Sequence, residues 1–235
     1  MCIEYHEILP NSFFIPFASN RLILNLPQKP VPLNEKQSNG QHAHLSINPP
    51  TKQDAFLAGI LGRLPALCAV SLPYEASYSR LRPWMGGDTV AWGTDHRSVP
   101  LRKIKAGHWE IRVVDATANM YVALAAFISA GLLGIQHDNQ LHWKDASISK
   151  QNGEPLRLKD SSMRKSGINS TSPTAHKLPT SFSDALTLLD GNFDDIEAMM
   201  GSAIIGHYLS LKRSELAQLQ SLSPNSVRDL FVELF

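Results

Sequence analysis

Two segments of this chain alternate polar and apolar side chains with a period of two. In GQHAHLSI at 40–47, His42, His44 and Ser46 interleave with Ala43, Leu45 and Ile47. In HWEIRVVD at 108–115, Glu110 and Arg112 interleave with Trp109, Ile111 and Val113. Successive strand residues point to opposite faces, so each segment makes a strand with one apolar side and one side bearing reactive groups. The sheet they belong to must therefore be covered by helices on one face only, leaving imidazole, carboxylate and guanidinium on the other.

Covering helices are legible. From residue 51, TKQDAFLAGILGRLPALCAV repeats Leu57, Ile60, Leu61, Leu64 and Leu67 at helical spacing, predicting a helix over 51–72 with a bend at Pro65. The run MYVALAAFISAGLLGI at 120–135 has 16 residues, short of the ~18 that a bilayer span needs. It reads as a buried helix over 117–134, capped by Asp115 or Thr117 and ended near Gly131 or Gly134. Ser181 and Asp184 have capping-box spacing before ALTLL, and Ile196, Met200, Ala203, Ile204, Tyr208 and Leu211 form one stripe between 194 and 219. Ser223 with Pro224 opens a last helix.

A further strand is expected at TVAWGT, 89–94. Residues 1–39, with five prolines, read as irregular, 144–180 as an exposed loop rich in Ser, Lys, Asn and Pro, and 181–235 as C-terminal helices. The expectation is one α+β domain over 1–235: a curved antiparallel sheet whose polar concave face carries the functional groups, backed by helices. Its N-terminal edge is expected to be incomplete and open to pairing with another chain.

Lys and Arg number 22 against 21 Asp and Glu, a net charge of +1, which provides no global field for non-specific nucleic-acid binding. Two cysteines, Cys2 and Cys68, make no disulfide framework, and the N-terminus does not read as a signal peptide, so a reducing, cytoplasmic setting without membrane or nucleic-acid partners is expected. The local balance differs. Between residues 80 and 112, Arg80, Arg82, Arg97, Arg102, Lys103, Lys105 and Arg112 stand against Asp88, Asp95 and Glu110. Guanidinium forks suit carboxylate and phosphate, so this is a candidate anion site as well as a candidate solvated face.

His-x-His is by itself either a strand edge or a metal pair, and Glu110 with Arg112 is equally a surface ion pair. In combination these groups suit phosphoryl transfer: imidazole and carboxylate for a divalent cation, arginines for a phosphate and a carboxylate substrate. The same His-x-His, with His108, His137, His142 and Asp145, is the other metal set to weigh, that of an amidohydrolase. An eight-unit α/β barrel does not fit this length.

Four segments in order, GQHAHLS at 40–46, SYSRL at 77–81, HRSVPLR at 96–102 and EIRVVDATANMYVALAA at 110–126, resemble the catalytic domain of the glutamine synthetase family. The last is the most specific, with Met120 where the family has proline. The AWGTDHRSVPLR segment resembles the fungal glutamine-synthetase-like branch, and LPTSFSDALTLL the family's C-terminal helix opening. The resemblance implies an ATP-dependent glutamate–ammonia (carboxylate–amine) ligase using Mg²⁺ or Mn²⁺ and passing through a γ-glutamyl phosphate. It implies His42, Glu110 and Glu7 as metal ligands, and His44, Ser46 and Arg102 at the nucleotide. Arg80 and Arg112 would grip the glutamate carboxylates and the transferring group, and Arg97 the phosphate charge. Partners would be glutamate, ammonia or a related amine, and synthetase-like chains in a homo- or hetero-oligomer.

Departures from the family pattern support an alternative, a catalytically degenerate member acting by oligomerisation or regulation. The motifs begin at residue 40, so the family's N-terminal β-grasp domain is expected to be missing. Phe14 stands where the second metal glutamate of HEILPNSFF would be, and MGGD at 85–88 replaces the family's flap glutamate.

Overall fold

A computed structural model of the chain describes residues 2–8, 40–82, 85–147 and 177–234. Five strands form one sheet: β1 Cys2–Ile8, β2 Gly40–Ser46, β3 Trp92–Thr94, β4 Leu101–Lys105 and β5 His108–Val114, in the order β1-β2-β5-β4-β3. Both alternating segments are strands, and they are neighbours: β2 pairs with β5 antiparallel, placing His44 opposite Glu110 and Ser46 opposite His108.

The sheet departs from expectation in three places. It is antiparallel at every pairing but one, because β3 runs parallel to β4 across a loop turned at Asp95, whose φ is 50°. The irregular reading of 1–39 fails at Cys2–Ile8, where β1 extends the sheet beside β2. The strand expected over 89–94 is regular only from Trp92, with Thr89 making an isolated bridge to Lys177.

Helix α1, Gln53–Ser71, follows a 3-10 turn at Pro50–Lys52 and continues through Pro65. Helix α2, Met120–Gln136, packs along it. The two backbones approach so closely that a Cβ on Gly59 would lie 2.2 Å from the Ala130 carbonyl oxygen, and one on Gly134 2.1 Å from that of Ala55. Only glycine is accommodated at this crossing. Leu57, Leu61 and Leu64 of α1 and Phe127 and Ala130 of α2 are buried in one cluster with Ala43, Leu45, Trp109, Ile111 and Val113, the apolar halves of the two alternating strands. With its leading turn, α1 is long and apolar enough to cross a membrane, and 72% of that window is buried inside the fold.

The N-terminus of α2 differs from the predicted one. Asn119 is the cap, its Oδ1 accepting from the backbone N–H groups of Tyr121 and Val122. Asp115 is buried one turn earlier and accepts instead from the N–H and hydroxyl of Thr117. Four further helices follow: α3 Phe182–Asp190, α4 Asp194–Met200, α5 Ile204–Gln220 and α6 Pro224–Leu234. Ser181 caps α3 through the Asp184 N–H as its spacing predicts. The apolar stripe over 194–219 is carried by two helices, because Gly201 takes a left-handed φ of 63° and ends α4. Phe14 and residues 148–176 of the expected loop lie outside the described residues.

Candidate active site

The polar face centres on Glu110, buried on the central strand. The register shift of β2 against β5 between Gln41 and Ala43 brings His42 to it, as such irregularities commonly re-aim a side chain. Glu110 Oε1 accepts from Arg112 Nη1 at 2.6 Å and lies 2.7 Å from His42 Nδ1. The imidazole contact is close but not in hydrogen-bond alignment. Glu110 Oε2 accepts from Arg102 Nη1 at 2.9 Å, and Arg102 Nη2 donates to Asp95 at 2.9 Å.

Burial alone would raise the Glu110 carboxyl, but the contact with His42 and the charges of Arg112 and Arg102 overcome it and hold the group at about 2. It is a carboxylate at any neutral pH. Burial lowers Arg112 and is opposed by the Glu110 charge, while Arg97, exposed on the 95–100 loop, lies near enough to repel it. One donor of each half-buried guanidinium remains unused: the Nε–H groups of Arg102 and Arg112 are buried and have no hydrogen-bond partner among the described residues. Two adjacent cations with unspent donors make a site for an oxyanion.

Arg80 occupies a different environment from that expected of a substrate clamp. It is buried, its Nη1 donates to the Val114 carbonyl at 3.4 Å, and burial lowers its pKa against the opposing charge of Asp115. It stands behind Arg112 and braces the end of β5. The MGGD segment turns on the same backbone, with the Gly86 N–H donating to the Arg80 carbonyl.

His44 and Ser46 are on the same face one pair along, and a residue that the strand pattern left unremarked joins them. His108 Nε2 lies 3.2 Å from His44 Nδ1, and His108 Nδ1 lies 2.9 Å from Ser46 Oγ. The signal was available, since His108, Glu110 and Arg112 occupy alternate positions of β5. Strand β4 was hidden because LRKIK has one apolar residue in phase, and Lys103, facing the other way, lays its ammonium over the Trp109 and Trp92 rings. Glu7 is placed by strand register alone: it pairs with Gln41, whereas His6 pairs with His42 and Glu4 with His44. His137 and His142 are exposed beyond α2, and Asp145 holds Thr94 and Ser147, so these residues do not join His42 and His44. Among the described residues, no three His, Cys, Asp or Glu side chains converge on one point.

A family profile described as glutamine synthetase, catalytic domain, matches residues 27–228. The chain belongs to the glutamine synthetase family. It is 34% identical over 227 residues to Protein fluG of Emericella nidulans, covering 92% of this chain and 25% of that protein. It is 28% identical over 237 residues to gamma-glutamylpolyamine synthetase GlnA3 of Streptomyces coelicolor, covering 89% and 47%. Among solved structures, one titled apo GmaS without ligand superposes with a TM-score of 0.62 at 25% identity, over 82% of this chain and 44% of that one. A novel glutamine synthase homolog gives 0.60 at 27% identity, over 84% and 46%. The chain thus spans a quarter to about half the length of these relatives, and what it shares with glutamine synthetases is the catalytic domain.

Proposed function

We propose that this face is the phosphate-handling half-site of an ATP-dependent carboxylate–amine ligase of the glutamine synthetase type. The observation that carries the reading is the Arg102–Glu110–Arg112 row with its two unspent, buried Nε–H donors. Such donors cost free energy unless an anion satisfies them, and a nucleotide phosphate or transferring phosphoryl group has the oxygens to do so. In this reading Arg102 and exposed Arg97 neutralise phosphate charge, Arg112 orients the transferring group, and His44 and Ser46 border the nucleotide. Glutamate attacks ATP, and ammonia or a larger amine displaces phosphate from the resulting γ-glutamyl phosphate; relatives named for polyamine and ethanolamide products support the wider amine class.

A divalent cation fits this face in part. His42 and Glu110 offer one nitrogen and one carboxylate, while a hard cation takes about six ligands, so the balance must come from nucleotide phosphates, water and residues outside the described set. When bound, Mg²⁺ or Mn²⁺ supplies charge neutralisation at the phosphates. The chain's own contribution is to keep Glu110 ionised and both guanidiniums in place. This incomplete donor set favours a second reading, in which the chain keeps the fold for assembly with synthetase-like chains and turns over poorly by itself.

Incubation with ATP, glutamate, magnesium and hydroxylamine tests the first reading. Glutamate-dependent ADP release with γ-glutamyl hydroxamate, reduced at least about 100-fold in Arg102→Ala, is expected if one oxyanion contact of this type is lost. ADP release indifferent to glutamate and to Arg102 would remove it.

A further inference from the structure

Arg102 is shared between two carboxylates of opposite character. Its Nη1 donates to Glu110 Oε2 and its Nη2 to Asp95 Oδ1, each at 2.9 Å. The Glu110 side chain is 3% exposed and also takes Arg112, so it is held in place. The Asp95 side chain is 68% exposed, and Arg102 is its only side-chain partner among the described residues. Nε–H and Nη2–H are the two donors of one guanidinium edge, the fork that an oxyanion engages with two oxygens. Asp95 holds that edge of Arg102 by one leg, at Nη2, and leaves the buried Nε–H unspent.

The backbone under Asp95 is fixed. Its N–H donates to the Lys103 carbonyl at 3.0 Å. The preceding Thr94 is clamped by Asp145, which accepts its N–H at 3.0 Å and its hydroxyl at 2.6 Å. What is free to move is the carboxylate alone, by rotation of an exposed side chain. Charge gives that rotation a consequence. With Asp95 in place, Arg102 and Arg112 stand against Glu110 and Asp95, two cations against two anions, and an incoming oxyanion meets no net attraction. With Asp95 turned to solvent, two guanidiniums face one carboxylate. Exposed ion pairs are weak, so a phosphate that takes both legs of the fork can displace one that takes a single leg.

We propose that Asp95 is a resident competitor at the Arg102 anion site: its carboxylate occupies the Nε–Nη2 edge in the free chain and is expelled when a phosphate binds there. The proposal rests on the phosphate-site reading above and adds the residue that tunes its affinity. A carboxylate that only orients Arg102 would have the opposite effect, since its removal would weaken anion binding rather than strengthen it.

Calorimetric titration of the full chain with ADP in excess magnesium, comparing the parent with Asp95→Asn and Asp95→Gly, tests it. Asparagine and glycine both tolerate the φ of 50° at this position, and thermal melts check that each variant is folded. The expected result is ADP affinity about three- to tenfold tighter in both, from the loss of an exposed ion pair and of a like charge beside the phosphate. Asp190→Asn, which removes the same charge from the Arg213 pair between α3 and α5, should leave affinity unchanged. Asp95→Asn combined with Arg102→Ala should bind no better than Arg102→Ala alone. Affinity equal to or weaker than the parent's in both Asp95 variants would overturn the proposal, as would an equal gain in Asp190→Asn. Absence of ADP binding in the parent and in both Asp95 variants would remove the phosphate-site reading and this proposal with it, so the two failures are told apart.

Discussion

Replacing Glu110 by glutamine removes the charge at the centre of the polar face while keeping its size, and the structure sets the cost. The carboxyl is held at about 2 against an ordinary 4.5, which favours the ionised form by about 3 kcal/mol at 1.36 kcal/mol per pH unit. Glutamine resembles the protonated form, so Glu110→Gln should lose about that amount at pH 7. Arg102 would retain Asp95, but Arg112 would have no ion-pair partner among the described residues, which places the loss nearer the range for breaking a buried pair than for a surface one. The sign with pH follows from the lowered folded-state value: the contribution is fully present above about 4.5 and is lost as pH falls towards 2. Urea unfolding at pH 7 should show the midpoint falling by about 1 M at an m-value near 3 kcal/mol/M. The parent should lose the same increment between pH 4.5 and 2, while the glutamine variant loses correspondingly less. A variant within about 0.5 kcal/mol of the parent at pH 7 would refute the claim that this carboxylate is held by its cations.

Gly59→Ala should destabilise by about 2 kcal/mol or more despite better helix propensity, because the new Cβ meets the Ala130 carbonyl; thermal unfolding reads this, and an unchanged midpoint would mean that the α1–α2 crossing is looser than described. Asn119→Ala should cost about 1 kcal/mol through loss of the α2 cap, whereas Thr117→Ala, outside that cap, should cost less. Burial pushes the Cys68 thiol well above its ordinary range, so brief alkylation followed by peptide mapping should leave Cys68 unmodified in the native chain and modified in urea.

The sheet's chemistry was legible because alternation is a strong signal: with His42, His44, Glu110 and Arg112 each two residues apart on their strands, the face they share follows from strand geometry. The helices were legible for the same reason, from apolar spacing and from caps such as Ser181. Other features depend on tertiary packing and not on local sequence. β4 carries Arg102 on one face and Lys103 on the other, and only the tryptophans packed under Lys103 explain how a strand so basic sits in the sheet. Arg80 reads as one more arginine of a basic patch, and its burial beside Asp115 depends on how the 75–82 turn docks behind β5. His108 lay in plain sight on an alternate position, but its link to His44 and Ser46 depends on which strands pair and in what register. Gly201 broke a stripe that remained apolar across the break, since periodicity continues through a turn that happens to preserve phase.

Calorimetric titration with ADP in excess magnesium, comparing the parent chain with Arg102→Ala, tests most directly whether the Arg102–Glu110–Arg112 row is a phosphate site. The account predicts micromolar binding in the parent that the substitution abolishes, because the alanine chain loses both the charge and the unspent Nε–H donor. No heat in the parent, or equal heat in both proteins, would contradict it.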